Sequence, residues 1–500
     1  VSLSIAPPIH WKEPISGIKI QFASKDNSER HNFIASWSKN EENSFSLQVD
    51  IDLFKDFNET TFIHDKFDLK IIQDKEPLPE QFVIYTDKVK KTESAIIDRK
   101  VYQFNTDSTL SLSIKPTWSW FDKGALRREA LRTIFYPLAR LLPLKKKTII
   151  FESYWGKNYE CNPRALYEYI DKHYPEFETV WSLKNPLTHI EGKGKKVRMH
   201  SLKYFYYMAR AKYFVNNVNF PDFYQKRKGV VELQTMHGTP LKTLGLDAPG
   251  EIKPGKKMEK FLEKNRRWDY LCVPSDYVAK IAEKAFAHRA KVLNSGYPRN
   301  DKLFNENTPE RIAEIKSTLG IPSDKKVIFY APTWRVRNKF KLELDILRLK
   351  EQLSEEYVLL VKFHHYVANA VNLPDEEEVK GFLYDLSNYN DIRDLYLISD
   401  VLITDYSSVM FDYAILNRPM IFFTYDLEMY RDNLRGMYFD LIEKAPGPVC
   451  LTNDELIDEI LDLKEFRSKY GEKLDAFRKI FNQYDKGNAS EQIFNVMFKS

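Results

Sequence analysis

Four segments of the chain place a chemically capable side chain directly after a short, strand-like run. His237-Gly-Thr-Pro240 follows residues 230–236, Ala331-Pro-Thr-Trp-Arg335 follows 327–330, His364 and His365 follow 357–362, and Asp405-Tyr-Ser-Ser408 follows 401–404. Apolar runs of that length read as buried parallel strands, and ligands bind beyond the carboxyl ends of such strands. Histidine, arginine, lysine, hydroxyls and a helix start gathered on one edge suit an anionic diphosphate. Ser407 and Ser408 would open the helix over 410–417, where free backbone N–H groups favour phosphate oxygens. Arg335 can grip two oxygens with its planar fork. Lys362 and His364 share a face at one strand end and would neutralise bridging and leaving oxygens. His237, in a turn shaped by Gly238 and Pro240, has the residue type and ordinary pKa of a general base. Lys242 and Arg299 are the nearest cations for an anionic acceptor.

Each feature also has an ordinary structural explanation. A histidine after a strand often only packs, and Asp405 before two serines reads equally as a helix cap. His364 and His365 are adjacent on a strand and point to opposite faces, so no shared metal ion is expected there. Asp50-Ile-Asp52 has the form of a metal-holding pair, but it reads as the solvent face of an alternating strand. The chain carries no P-loop and no GxGxxG, which argues against nucleotide hydrolases and dehydrogenases.

The elements that must position these residues form two strand–helix–strand blocks. Strands are expected at 148–151, 213–216, 230–236 and 269–273 in the first block. The second has 326–330, 357–362, 400–404 and 419–423, and the two meet near residues 294–304. Helices are expected at 162–172, with Asn162 as cap and Pro163 in its first turn, at 277–287, 310–319, 392–398 and 410–417, and after Asp454. This predicts an α/β protein with two Rossmann-like domains and a cleft between them. Before them, Phe45, Leu47, Val49, Ile51 and Leu53 alternate with polar residues. With shorter runs at 18–22, 82–85, 101–104 and 110–114, they predict a small all-β sandwich-like domain. The domains are expected at 1–117, 118–147, 148–295 and 296–500.

The 118–147 segment is basic and amphipathic. Leu126, Ala130, Ile134, Leu138 and Leu141 recur at helical spacing among Lys123, Arg127, Arg128, Arg132, Arg140 and Lys145–Lys147. It predicts a helix bent near Pro137, serving either as a linker between domains or as a contact to an anionic membrane surface. The aromatic run 202–212 reads as core. In 500 residues, 76 basic against 71 acidic side chains leave a net charge of only +5, too little for a nucleic-acid coat. Three scattered cysteines, Cys161, Cys272 and Cys450, exclude a disulfide framework and fit a reducing compartment. The chain opens on Val1 rather than Met and has neither a signal peptide nor a spanning segment, so a cytoplasmic protein with an upstream piece missing is expected.

The ordered motifs resemble those of the CDP-glycerol glycerophosphotransferases that build wall teichoic acid. They are His237-Gly-Thr-Pro-Leu-Lys-Thr-Leu-Gly-Leu-Asp247, Arg267-Trp-Asp-Tyr270, Gly296-Tyr-Pro-Arg-Asn-Asp301, Tyr330-Ala-Pro-Thr-Trp-Arg335, Asp394-Leu-Tyr-Leu-Ile-Ser-Asp400, Thr404-Asp-Tyr-Ser-Ser-Val-Met-Phe-Asp-Tyr413 and Arg435-Gly-Met-Tyr-Phe-Asp440. The likeness covers residues 149–499 and leaves out 1–117. It implies a GT-B architecture with the active site in the interdomain cleft, His237 as catalytic histidine and His364 as the second essential one. Donor-binding positions fall on Gly238, Thr239, Thr333, Arg335, Lys362, Asp405, Ser407, Ser408 and Asp412, and acceptor-binding positions on Lys242, Asp247 and Arg299. The donor implied is CDP-glycerol, with no cofactor or metal. The acceptor implied is a polyprenyl-diphosphate-linked teichoic acid at the cytoplasmic face of an anionic membrane, with no nucleic acid. Arg127, Arg128, Arg132 and Arg140 are the implied membrane contacts of a peripheral enzyme. The loop 336–341 is basic where an acidic one is expected, which bears on the acceptor. CDP-ribitol or a nucleotide sugar as donor is the near alternative, and a non-catalytic polymer-binding scaffold the distant one.

Overall fold

The structure is a computed structural model describing residues 2–5, 18–24, 30–34, 36–39, 45–50, 65–73, 76–77, 92–97, 100–105, 111–250, 252, 254–333, 342–363, 371, 373–387, 389, 391–427 and 436–499. The expected strand at 82–85, Asp52, the loop 336–341, and Arg335, His364, His365 and Arg435 lie outside them. The chain divides by its internal contacts into two compact units, residues 1–123 with 185–188, and residues 124–184 with 189–500.

Among the described residues of the first unit, the strand pairings are antiparallel. The alternating run Phe45–Asp50 lies between Ser2–Ile5 and Ser36–Lys39. A second ladder runs Arg30–Ile34, Ile18–Ser24, Asp65–Gln73, Ser111–Pro116, Lys100–Asn105 and Thr92–Ile97, with Glu76–Pro77 paired to Asp65–Gln73.

The second unit holds two parallel sheets. The first contains β1 (Lys145–Glu152), β2 (Glu178–Leu183), β3 (Lys195–Arg198), β4 (Ala211–Asn216), β5 (Val231–Gln234), β6 (Tyr270–Cys272) and β7 (Lys291–Leu293), in the order 3-2-1-4-5-6-7. The second contains β8 (Lys326–Tyr330), β9 (Tyr357–Val361), β10 (Leu383–Asp385), β11 (Val401–Thr404), β12 (Met420–Phe423) and β13 (Val449–Cys450), in the order 10-9-8-11-12-13. Both orders reverse beside the first strand, the arrangement that opens a crevice at the carboxyl edge. Alternate residues of one strand feed different cores: Val327 and Phe329 pack with Leu360 and Leu402, while Ile328 and Tyr330 pack with Leu359 and Ile403. Each sheet is thus covered on both faces, which is why its strands read as continuous apolar runs.

Strand β1 begins at Lys145, inside the basic run, because Lys145 and Lys195 both pair with Glu178. The short strands β2, β3, β7 and β10 and the helix Lys256–Asn265 carry too few apolar residues to stand out by periodicity. The helix Phe466–Phe481 packs on the second core through Leu474, Phe477 and Phe481. The following helix, Ala489–Met497, crosses back, and Ile493, Phe494, Met497 and Phe498 complete the core of the first sheet.

The basic amphipathic segment forms helix over Ala125–Ala130, a wider π turn over Leu131–Phe135, and helix again over Tyr136–Ala139. Pro137 has no N–H for the preceding turn and its ring crowds that turn's carbonyl, which accounts for the widening. Tyr136 and Ala139 face inward, with the Tyr136 ring 5.4 Å from Phe223. The opposite face stays bare: Leu126 is 88% exposed, Ile134 62%, Leu138 60% and Leu141 80%. In the aromatic helix Leu202–Arg210, by contrast, Tyr204, Phe205, Tyr207 and Met208 are buried, as expected of core.

Candidate active site

The turn after β5 is built to present His237. Thr235 is buried, and its N–H and Oγ1 both donate to the Asn216 carbonyl, at 2.9 and 3.2 Å. The Gln234 side chain takes the Met236 N–H at 2.9 Å. Met236 is then left-handed, with φ of 53°, which turns the backbone sharply and swings His237 out of the sheet. Its Nδ1 lies 3.0 Å from the Asn217 carbonyl. A carbonyl can only accept, so Nδ1 carries the proton and the neutral ring keeps its lone pair on Nε2. The ring is exposed to solvent yet closely enclosed by protein. That enclosure holds its pKa below the usual 6.5; the Asn217 carbonyl opposes the shift and the Arg299 cation adds to it.

A strained loop lies alongside. Tyr154, Trp155 and Cys161 have φ of 46°, 57° and 66°, a conformation costing a β-carbon-bearing residue about 1–2 kcal/mol each. The loop is held by Asn217, whose side chain accepts the Tyr154 N–H at 2.9 Å and donates to Ser153 Oγ at 3.1 Å. The Tyr154 ring comes within 5.7 Å of the His237 ring. Asn162 is not the cap of its helix. Cys161–His173 starts one residue earlier, and the buried Asn162 amide clasps the histidine turn, donating to the carbonyls of Thr235 and Met236 at 3.0 and 3.1 Å. Its oxygen accepts the Arg299 N–H at 3.1 Å. Nothing in the sequence marks Asn217, Tyr154 or Asn162 for these tasks. The Asn-Pro pair reads as a helix start, and only the long-range contacts give it another use.

From the second sheet comes the turn after β11. Buried Asp405 accepts the Thr333 N–H at 2.8 Å, and Thr404 Oγ1 donates to the Ala331 carbonyl at 2.8 Å, so the ends of β8 and β11 are tied together. Ser407 is half-buried and Ser408 exposed. Ser408 occupies the cap position of the helix Val409–Tyr413, but its hydroxyl makes no capping hydrogen bond. The two turns face each other: a β-carbon placed on Gly238 would lie 3.7 Å from Ser408 Oγ and 3.4 Å from Arg299 Nη2. Thr239 and Pro240 are buried behind them, and Tyr277 donates to the Pro240 carbonyl at 3.1 Å.

Several expected contacts take other work. The Lys362 ammonium donates to the carbonyls of Leu386, Ser387 and Tyr389, at 3.4, 3.1 and 2.6 Å, so all its protons are engaged within the second sheet's own loops. Burial pushes its pKa down to about 8, against the pull of Glu160, Asp385 and Asp391. In this arrangement it anchors those loops to the end of β9. Arg299, expected to meet the acceptor, forms a buried ion pair with Asp412 at 2.6 Å, and Asp412 is thereby occupied as well. Asp247 accepts from Tyr438 Oη at 2.9 Å, and the stretch 241–243 pairs with 436–438, where Thr243 N–H donates to Gly436 and Tyr438 N–H to Leu241. Lys242 lies within that pairing. These residues lock the two sheets together beside the cleft. Among the described residues no three histidine, cysteine or acidic side chains gather to hold a metal ion. No helix among them is long and apolar enough to cross a membrane.

Comparison with known proteins gives a consistent result. Residues 134–499 match the model of the CDP-Glycerol:Poly(glycerophosphate) glycerophosphotransferase family. The teichoic acid poly(glycerol phosphate) polymerase of Bacillus subtilis (strain 168) is 40% identical over 445 residues, 82% of this chain; the chain spans 59% of that protein's length. The teichoic acid glycerol-phosphate transferase of Staphylococcus aureus (strain NCTC 8325 / PS 47) is 40% identical over 393 residues, covering 75% of this chain and 100% of that one. A solved variant of the wall teichoic acid polymerase TagF, soaked with CDPG, superimposes with a TM-score of 0.69 at 39% identity, over 75% of this chain and 93% of that one.

Proposed function

The chain belongs to the CDP-glycerol:poly(glycerophosphate) glycerophosphotransferase family, and on that premise we propose that it transfers glycerol phosphate from CDP-glycerol to the terminal hydroxyl of a lipid-linked (poly)glycerol-phosphate teichoic acid, releasing CMP. The hydroxyl oxygen attacks the glycerol-bearing phosphorus, the bridging P–O bond breaks, and its electrons leave on CMP. The hydroxyl proton passes to Nε2 of His237. One observation carries this reading: the His237 ring is fixed by the Asn217 carbonyl so that its basic nitrogen is free, in a turn facing the Ser408 hydroxyl across the cleft.

The surrounding groups fit the task. In phosphoryl transfer, positioning and charge stabilisation do most of the work. The Ser408 hydroxyl, which makes no capping hydrogen bond, is placed to donate to phosphate oxygens, and Asp405 holds Thr333 beside it. By the resemblance of their motifs, Arg335 and His364 add positive charge there. The two parallel sheets form the halves of a GT-B fold, divided near residues 295–296, and the antiparallel strands before residue 117 an accessory domain. We assign no role to a metal or cofactor.

The bare apolar face of Leu126, Ile134, Leu138 and Leu141, flanked by Arg127, Arg128, Arg132 and Arg140, supports a peripheral seat on an anionic membrane, where the lipid-linked acceptor would be found. Mass analysis of products from a synthetic lipid-linked acceptor tests the whole reading, with CDP-glycerol, CDP-ribitol and a nucleotide sugar offered separately. Glycerol phosphate additions and CMP only with CDP-glycerol are expected; additions only from another donor would overturn it. Co-sedimentation with anionic vesicles tests the membrane seat. Replacing the four arginines by glutamine should release the protein, and undiminished binding would remove that part of the proposal.

A further inference from the structure

We propose that Arg299 is the positioning residue of this site: it fixes the turn that carries His237 and is itself aimed by Asp412 from the second sheet, so that the imidazole is seated only while the two sheets are docked. This deepens the transfer reading above and rests on it.

Arg299 lies in the short turn Pro298–Asn300 that follows β7. Its backbone is pinned by Asn162, the same side chain that clasps the carbonyls just ahead of the histidine. Its Nη1 donates to the His237 carbonyl at 2.7 Å and reaches Cys161 Sγ at 3.3 Å. Its Nη2 donates to Asp412 Oδ2 at 2.6 Å. The remaining nitrogen, Nε, is closed to solvent. Both terminal nitrogens are thus engaged, one with the backbone of the histidine and one with the carboxylate that directs it. Asp412 belongs to the helix that Ser408 opens, so one ion pair joins the donor-side turn to the base. The turn and the guanidinium are close neighbours: a β-carbon on Gly238 would lie 3.4 Å from Nη2.

The same placement bears on protonation. Among the described residues, the groups facing the imidazole are the Asn217 carbonyl, the Tyr154 ring and the Arg299 cation, with the Cys161 thiol and the Asp412 carboxylate bonded to that cation. Enclosure lowers the histidine's pKa, the carbonyl opposes this, and the arginine adds to the lowering. Arg299 therefore both places the ring and favours its basic form.

The test uses the full chain with ring-labelled histidine, the His237 signal being assigned by its loss in His237→Gln. Arg299→Gln removes the cation and should raise the His237 titration midpoint. Arg299→Lys keeps the charge without the fork. It should leave the midpoint nearer the wild-type value while lowering kcat by about 10–100-fold at a donor KM within about twofold, the size expected of a misplaced reacting group. Asp412→Asn should lower kcat in the same range, and adding it to Arg299→Gln should cost little more, because both changes break one linkage. A His237 midpoint unmoved in Arg299→Gln, or a loss in Arg299→Lys confined to the acceptor KM, would overturn the proposal. Should Arg299→Gln fail to fold, Gly238→Ala takes its place: it should move the His237 signal and lower kcat, and a signal and kcat both unchanged would count against the role. If the wild-type chain releases no CMP from CDP-glycerol, the transfer reading falls. A midpoint that still rises in Arg299→Gln would then uphold the positioning role by itself.

Discussion

The turn after β5 and the segment after β9 each end a buried parallel strand with a basic side chain, His237 in one and Lys362 in the other, and they use it in opposite ways. At the first, backbone and neighbouring amides do the holding: Gln234, Asn216, Asn217 and Asn162 fix a left-handed turn, and the imidazole makes one hydrogen bond and keeps one nitrogen open. At the second, the side chain does the holding, its ammonium spread over three carbonyls of the 386–389 loop. A group is free to react when its surroundings are satisfied without it. Residue type alone does not distinguish the two cases; the count of committed donors does.

Four substitutions would sharpen or break that contrast. The largest effect is expected of His237→Ala, a loss of about 10²–10⁴ in turnover with little change in thermal stability, the usual cost of removing a positioned base. Because the histidine's pKa is lowered, the acid limb of the wild-type pH–rate profile should fall below 6.5; a midpoint above that value would contradict its environment. Next comes Asp405→Ala, which leaves the buried Thr333 N–H without its partner and should destabilise by about 1–3 kcal/mol in denaturant unfolding.

Lys362→Met should act on stability and its pH dependence rather than on donor affinity. The folded value of about 8 lies below the unfolded 10.5, so the unfolded chain binds more protons between those limits and stability rises with pH across that window. The variant should lose that part of the rise, read from denaturant midpoints near each limit. A large fall in donor affinity instead would place Lys362 back among the ligands and erase the contrast. The smallest effect is expected of Tyr438→Phe, which removes the hydrogen bond to Asp247 and should cost about 1 kcal/mol of stability with turnover nearly unchanged.

The parallel sheets were legible because both faces of each strand are covered: β8, β9, β11 and β12 appear in the sequence as runs with no polar interruption. The strands that escaped notice, β2, β3, β7, β10 and β13, are short or begin with charged residues, and their place is set by pairing with a neighbour rather than by their own pattern. The strand-end positions were legible, since they are fixed by the fold, and the turns that carry His237 and Ser408 face one another. Roles within the site were less so. Arg299, Asp412, Asp247 and Lys362 have the charge a ligand site needs, and whether that charge meets a ligand or another side chain depends on contacts far apart in sequence. The amphipathic segment illustrates the same limit. Its apolar spacing predicts a helix, yet the stripe of Leu126, Ile134, Leu138 and Leu141 is the face left uncovered, and Tyr136 and Ala139 supply the buried one.

The crossing of the last helix has a consequence for how this molecule comes into being. The hydrophobic interior beginning at Ile149 is closed by Phe494, Met497 and Phe498, some 350 positions later. On the ribosome, that interior must wait for those later residues to be made before its final wall arrives, whereas the second sheet meets its own partners sooner. A nascent chain halted after Phe481 should therefore carry a finished second half and an unfinished first one, which protease digestion of stalled intermediates would reveal.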